Sequence, residues 1–544
     1  MVKSPFNISK KGKKTMKRNL VCSLCLSILA CISLQAKQIF VSPNGYDTND
    51  GTIESPFWSL QKAQSIVSAG DTVYIRGGDY VITERDISRV ERDIFACVSF
   101  LNISGSKDQM IKYWAYPGEQ PLFDFTAVKP ANQRVVGFWV SGDYIHLKGI
   151  EITGVQVTIL THTESYCIYS WGNNNIFENI SMHDNKSTGL RHRNGGYNLF
   201  LNCDAYNNHD DVSENQKGGN TDGFGCHPKT GGKGNVFRGC RAWFNSDDGF
   251  DCIRSSEDII FDSCCSFYNG YSPSFESLGD GNGFKIGGYA YDEASLIPQP
   301  VPSNTVRFCV AVHNRANGFY SNHHLNGNIW LNNSAYKNAY NYNMVNRESV
   351  QSQNINVDGY NHVLKNNLGY NGRSGETAYL DASKNILVTN SFEMDLVLTD
   401  DDFINLDESA LMAPRKADGS LPDIDFMKIA PSSPLIDAGT DIGFPFLGVA
   451  PEIGAFENAL SNGLGVQKLE QARGKVYPNP VNNIIFVNGM AIQQAWITDI
   501  SGRQQPIRIY ENSIDVSQLG NGVYVLKVIP NQNKSVVEKI IISK

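Results

Sequence analysis

One pattern constrains the fold of this chain more than any other feature. From about residue 173 to 371 it reads "NNIFENISMHDN", "YNLFLNCDAYNN", "GNVFRGCRAWFN", "EDIIFDSCCSFYN", "SNTVRFCVAVHN", "GNIWLNNSAYKN" and "HVLKNNLGYN". Each unit ends in asparagine, at Asn185, Asn208, Asn245, Asn269, Asn314, Asn338 and Asn371. The spacings of 23, 37, 24, 45, 24 and 33 residues reduce to a unit of 23 or 24 interrupted by loops of variable length. The units hold short β-type runs broken by Asn and Gly, with no helical period. One such unit cannot bury its own apolar face, but a stack of them can, so the pattern predicts a parallel β-solenoid with one turn per repeat.

The columns of that stack follow from the alignment. Side-chain amides stacked at a bend can hydrogen-bond to one another and to the backbone, which predicts a ladder through Asn208, Asn245, Asn269, Asn314 and Asn338. Five residues earlier stand Cys203, Cys240, Cys264 and Cys309. This column reads as an interior stack of small apolar side chains and not as a metal site, because cysteine is among the most buried residue types.

After each asparagine turn comes a glycine: "TGLR", "DGFG", "DGFD", "NGFK" and "NGFY", anchored on Gly189, Gly223, Gly249, Gly283 and Gly318. The residues before the glycine are Thr188, Asp222, Asp248, Asn282 and Asn317, and those two after it are Arg191, Gly225, Asp251, Lys285 and Tyr320. Neighbouring rungs of a parallel sheet lie ~4.8 Å apart. Asp222 is therefore expected beside Asp248, and Lys285 one rung from Asp251. Asp222, Asp247, Asp248 and Asp251 converge on one small volume, and carboxylates that close repel unless a cation sits among them. Oxygen-only ligands suit calcium, with the Gly249 carbonyl as a further candidate ligand. A cation beside Lys285 disfavours its ammonium form and so makes it a candidate base, its pKa depressed from ~10.4. Calcium with a lysine base fits β-elimination across a uronic acid unit, the metal stabilising charge on the carboxylate while lysine takes the proton from the adjacent ring carbon.

The turns "NTDGFGCH", "NSDDGFD" and "GNGFK", with the repeat around them, resemble polysaccharide lyase family 9, which includes enzymes for polygalacturonate and for rhamnogalacturonan. The resemblance covers roughly residues 38 to 457, from "IFVSPNGYDTNDGT" to "SPLIDAGTDIGFPFLGVAPEIGAFE". It implies a right-handed parallel β-helix, an acidic plant cell-wall polysaccharide (pectin) as substrate, calcium held by Asp222, Asp247, Asp248 and Asp251, and Lys285 as base. No motif separates the two backbones. Arg191, Arg254, Tyr320 and Arg347 are candidates for holding substrate, and the excursions at 209–220 and 271–280 for cleft walls. Two rivals remain. A polygalacturonase-type hydrolase would use carboxylates as acid and base, but the Gly-His-Gly and Arg-Ile-Lys elements of that family are missing at the matching turns. A non-catalytic adhesin or glycan-binding β-helix explains the repeat but not a carboxylate cluster facing a lysine.

The ends and the composition complete the reading. Lys10, Lys11, Lys13, Lys14, Lys17 and Arg18 precede an apolar run from Leu20 to Leu34 and then Gln35-Ala36-Lys37, which predicts a signal peptide at 1–36; lipid attachment at Cys31 is the alternative. The run is short for a membrane span. Three of the 12 cysteines lie in that leader, and the nine that remain are an odd number, so at least one is expected unpaired. The net charge of −8 argues against a nucleic-acid partner. Residues 37–457 are expected as the β-helix and 458–474 as a linker. Residues 475–544 alternate apolar and polar between turn signals, as a small β-sandwich would, and resemble the C-terminal sorting domain of type IX secretion. The expected state is a monomer.

Overall fold

The computed structural model describes residues 36–161, 164–213, 217–290, 292–352 and 355–457, and from the last segment 476–477, 481–487, 492–499, 503–510, 512–530 and 536–544. The expected leader with Cys31 (apart from Ala36) and the expected linker lie outside the described residues.

From Gln38 to Val388 the chain winds through three sheets of 12, 10 and 11 strands, and each complete coil contributes one strand to each. One coil reads Asn235–Arg238, Arg241–Trp243, Phe250–Asp251, and the next reads Ile259–Asp262, Cys265–Phe267, Phe284–Lys285. They pair in parallel and in register, residue on residue. The exception in the third sheet is Arg89–Glu91, which folds back antiparallel on Phe95–Leu101. The stack is the parallel β-helix that the repeat predicts.

Register puts like on like inside. Phe177, Phe200, Phe237 and Phe261 stack ring on ring at 5.2, 4.3 and 5.3 Å, and Phe224, Phe250, Phe284 and Phe319 do so at 5.0, 4.8 and 5.2 Å. Each of these buried rings stabilises the stack by roughly 1.5–3 kcal/mol relative to exposure. The asparagine ladder runs through the interior as expected, with Nδ2 of Asn208, Asn245, Asn269 and Asn314 donating to Oδ1 of the next asparagine at 2.9 to 3.0 Å. It begins one coil earlier, at Asn185. It does not reach Asn371, which is exposed with φ +55°; Asn338 donates instead to Asn341 in its own coil, and Asn341 ends the ladder on Glu376.

Cys203, Cys240, Cys264 and Cys309 are buried in the core, and their thiols donate to coil carbonyls. Burial pushes the thiols of Cys203 and Cys264 up, so they stay protonated. The column then changes residue type: Cys309 N–H donates to Asn333, which continues to Asn367 and Asn390. All nine cysteines of the described chain are free and buried.

The coils stop at Val388, earlier than the 457 expected. Residues 391–457 wrap the outer face of the second sheet, packing Phe403, Leu411, Phe426 and Ile429 on Trp243, Phe267 and Val312. Arg241 and Arg415 clamp this wrap by sharing Asp204 at 2.8 and 2.6 Å. The second sheet's outer face is thereby covered. The final segment forms two antiparallel four-stranded sheets around one core that includes Ile485, Ile497, Ile514, Leu526 and Ile540. Among the described residues no helix is long and apolar enough to cross a membrane.

Candidate active site

The third sheet carries the acidic cluster. Its register aligns Arg191, Gly225, Asp251, Lys285 and Tyr320 on successive rungs. Beside this row runs a ladder of the same kind as the core asparagines, built from the residues before each turn glycine. Asp222 Oδ1 accepts the Asp248 N–H at 3.2 Å, Asp248 Oδ1 accepts the Asn282 N–H at 2.7 Å, and Asn282 Oδ1 accepts the Asn317 N–H at 3.3 Å. Aspartate has the shape of asparagine, so it fits the ladder. It replaces the amide nitrogen, however, with a second acceptor oxygen. Two coils of the ladder thus present Oδ2 atoms where an asparagine would present donors.

Asp251 is oriented in the same way, with Oδ1 accepting from Ile253 N–H at 2.6 Å. Oxygens of Asp222, Asp248 and Asp251 lie within 4.8 Å of one another, and all three residues are buried. Asp248 Oδ2 is paired with Lys285 Nζ at 2.9 Å, and the same nitrogen lies 3.2 Å from Asp251 Oδ2. Burial and mutual repulsion raise the pKa of Asp222 well above the carboxylate range. Burial also raises Asp248, against the pull of Lys285. Three buried carboxylates, already oriented and held together in a pocket that disfavours their own charge, make an oxygen-only donor set that calcium fits.

Two expected ligands are placed differently. Asp247 lies outside the close triad: Oδ1 accepts from Asp280 N–H at 2.9 Å and Oδ2 from Asn220 N–H at 2.6 Å, so its carboxylate ties the roots of the two excursions together. Burial, followed by repulsion from Asp248, pushes it up to about 8. Each of its oxygens keeps a second lone pair, which leaves a fourth carboxylate available to a cation. The Gly249 carbonyl accepts from Phe224 N–H at 3.0 Å. A strand carbonyl lies in the plane of the ladder, so it is committed to pairing and is not directed at the carboxylates.

Lys285 stands where the repeat places it, and the depressed pKa expected there belongs to the cation-bound site. Burial opposes the ammonium form, yet Asp248, Asp251, Asp247 and Asp222 outweigh burial and hold its pKa well above 10.5. Without a metal ion, the lysine itself serves as the counter-charge of the aspartates. Tyr320 follows on the next rung, half-buried, its hydroxyl pushed up to about 12 by burial.

The arginines divide. Arg254 makes a two-pronged pair with Asp292, at 2.8 Å for both contacts, on the loop after Lys285. Arg347 is buried and donates to the carbonyls of Ser352, Val350 and Asp292. In this structure both hold loops, Arg254 with its side chain exposed and Arg347 buried. Arg191 remains on the outward row, paired with Glu164. Sequence reading missed its neighbours Arg92, Arg134 and Arg193, which line an open pocket with it. Gly225 interrupts the row because a Cβ there would lie 2.8 Å from the ring of His227. That break is visible in "DGFGCH", where other repeats carry a long side chain.

Residues 39–385 match the family model "Pel9A-like, right handed beta helix region", and residues 475–543 match "Secretion system C-terminal sorting domain". A pectate lyase L of Dickeya chrysanthemi is 34% identical over 434 residues, covering 78% of this chain and 91% of that protein. A solved rhamnogalacturonan lyase is 42% identical with a TM-score of 0.70, covering 73% of this chain and 97% of its own. The structure of pectate lyase Pel9A is 32% identical with a TM-score of 0.63, covering 77% and 96%. The sorting domain indicates secretion or a cell-surface location.

Proposed function

The chain belongs to the Pel9A-like right-handed β-helix family, and on that premise we propose that it is a calcium-dependent polysaccharide lyase that cleaves a galacturonate-containing pectin backbone by β-elimination. The observation that carries this reading is the juxtaposition of Lys285 Nζ with Asp248 and Asp251 at 2.9 and 3.2 Å on neighbouring rungs of an outward-facing row.

Asp222, Asp248 and Asp251 would hold the cation through their mutually close oxygens, with Asp247 as the fourth carboxylate. A bound calcium ion would supply positive charge for a substrate carboxylate and take over the aspartates that otherwise keep Lys285 protonated. Lys285 then removes the proton from C5 of the uronate, next to its carboxylate. The electrons form the C4–C5 double bond, and the C4–O bond breaks toward the leaving sugar. Backbone amides of Ile253 and Asn282 keep Asp251 and Asp248 in place, so the site is organised before substrate arrives. Tyr320, one rung beyond the lysine, offers an aromatic face or hydroxyl to a sugar.

Rhamnogalacturonan is the backbone to test first, because the solved rhamnogalacturonan lyase is more similar, at 42% identity, than the pectate lyases at 34% and 32%. The enzyme is read as a monomer exported by a cleaved signal peptide at 1–36, with a lyase domain of β-helix coils and wrap at 37–457 and, beyond the linker, the sorting domain at 475–544. Incubation with rhamnogalacturonan and with polygalacturonate, followed by ultraviolet absorbance and product mass, tests the reading. Unsaturated products identify the backbone; saturated products would show hydrolysis, and no products from either with calcium present would count against a pectin lyase.

A further inference from the structure

The outward row that holds Asp251 and Lys285 continues toward the N-terminal coils, and two rungs beyond Asp251 it reaches Arg191. There an open pocket of about 290 Å³ is lined by Arg92, Arg134, Arg191 and Arg193 around Glu164 and Tyr166. Four guanidiniums face one carboxylate. Glu164 is already engaged, accepting from Arg191 and, at 2.5 Å, from the Tyr166 hydroxyl. Among the described residues no carboxylate lies within ion-pair distance of Arg92, Arg134 or Arg193. Arg134 rests on the ring of Phe95, and its Nε is buried without a hydrogen-bond partner.

The pocket is a built feature. Arg92 is delivered by the turn after Arg89–Glu91, the antiparallel strand, with Arg92 and Asp93 at φ +51° and +59°. That hairpin is seated on a small aromatic core of Phe95, Phe100, Trp139, Tyr166 and Tyr169, with Arg89 over Phe100 and Arg92 over Trp171. Elsewhere in the fold arginines end on carboxylates or carbonyls, as Arg241, Arg254, Arg347 and Arg415 do. Clustered guanidiniums without counter-charge repel one another, and each carries five donors suited to a carboxylate.

We propose that this pocket is a distal subsite that binds the carboxylate of a uronate residue on the same polysaccharide chain. Arg191 lies three rungs from Lys285, ~14 Å at the ~4.8 Å spacing of paired strands, so a backbone lying along the row reaches it after a few sugars. The subsite rests on the galacturonate reading above and adds to it: anchoring away from the scission point favours long chains over short ones and sets the register in which the backbone lies.

The test is calorimetric binding to the full chain with calcium, in a Lys285→Ala background so that nothing is turned over. The probes are long and short galacturonate-containing oligosaccharides from polygalacturonate and from rhamnogalacturonan. Arg92 lies on an exposed turn, so Arg92→Gln leaves the core intact, and Arg193→Gln serves as a second variant. Each is expected to weaken binding of the long oligosaccharide roughly tenfold, the order of one hydrogen-bonded charge contact, with little change for the short one. Reduction of the oligosaccharide carboxyl groups should weaken binding less in Arg92→Gln than in the parent. Parent binding that both variants leave untouched, or that falls equally for long and short chains, overturns the pocket alone. No binding by the parent sinks the backbone reading and the pocket with it.

Discussion

At the scale of single residues, the function depends on a few charges whose states are coupled. Lys285→Ala should lower turnover by several orders of magnitude while calcium and oligosaccharide still bind, because backbone N–H groups, and not the lysine, orient Asp222, Asp248 and Asp251. Absorbance assays with parallel calorimetry check this. The aspartates make a stability prediction. Asp247 has a folded-state pKa near 8 against an ordinary 3.8, so its contribution to the calcium-free fold is full below about 4 and is lost as pH rises through about 8. Asp222 and Asp248 shift in the same direction. The chelated protein should therefore melt at lower temperature as pH rises through that window, and calcium should remove the slope. Asp222→Asn, which keeps the acceptor used by Asp248 N–H, should stabilise the chelated protein at neutral pH by on the order of 1–3 kcal/mol and weaken calcium binding; scanning calorimetry with and without chelator reads both. Asp248 and Lys285 were legible in the sequence because the repeat fixes their rungs. Arg254 and Arg347 were not, because their partners Asp292, Val350 and Ser352 reach them through loops outside the repeat.

At the scale of elements, the ladders do two jobs with one geometry. In the core they satisfy the bends with stacked amides, and on the third sheet the same stacking, with aspartate at two positions, orients the site. Asn269→Ala should cost about 2–4 kcal/mol, because Asn245 Nδ2 loses its acceptor and Asn314 its donor in a buried environment. Denaturant unfolding measures it, and a loss below about 0.5 kcal/mol would show that the ladder adds little. This ladder was readable from 24-residue spacings. A second, through Asn175, Asn198 and Asn235, was present in the same repeats, at the start of "NIFEN", "NLFLN" and "NVFRG", but Ile259 interrupts it before Asn304 and Asn328 resume. The first coils were opaque, because from Gln38 to about 170 no asparagine recurs at a fixed spacing from bend to bend.

At the scale of the whole molecule, one face of the β-helix is covered and another is left open. Residues 391–457 cover the second sheet, which leaves the third to carry the charged row from Arg191 to Tyr320. The wrap was not legible, since it follows no repeat and is held by single contacts such as Arg415 to Asp204. The C-terminal segment has its own core, so a chain ending at 457 should keep lyase activity and lose only export, read by activity in cell and medium fractions. In the proposed reaction the aspartate-bound cation and the lysine act together in one elimination. This joint action is tested most directly by following the ultraviolet-absorbing product from wild type and Lys285→Ala across a calcium titration. Wild type should give product that rises with calcium and disappears on chelation, and Lys285→Ala should give none at saturating calcium. Undiminished product from chelated wild type, or calcium-driven product from Lys285→Ala, would contradict it.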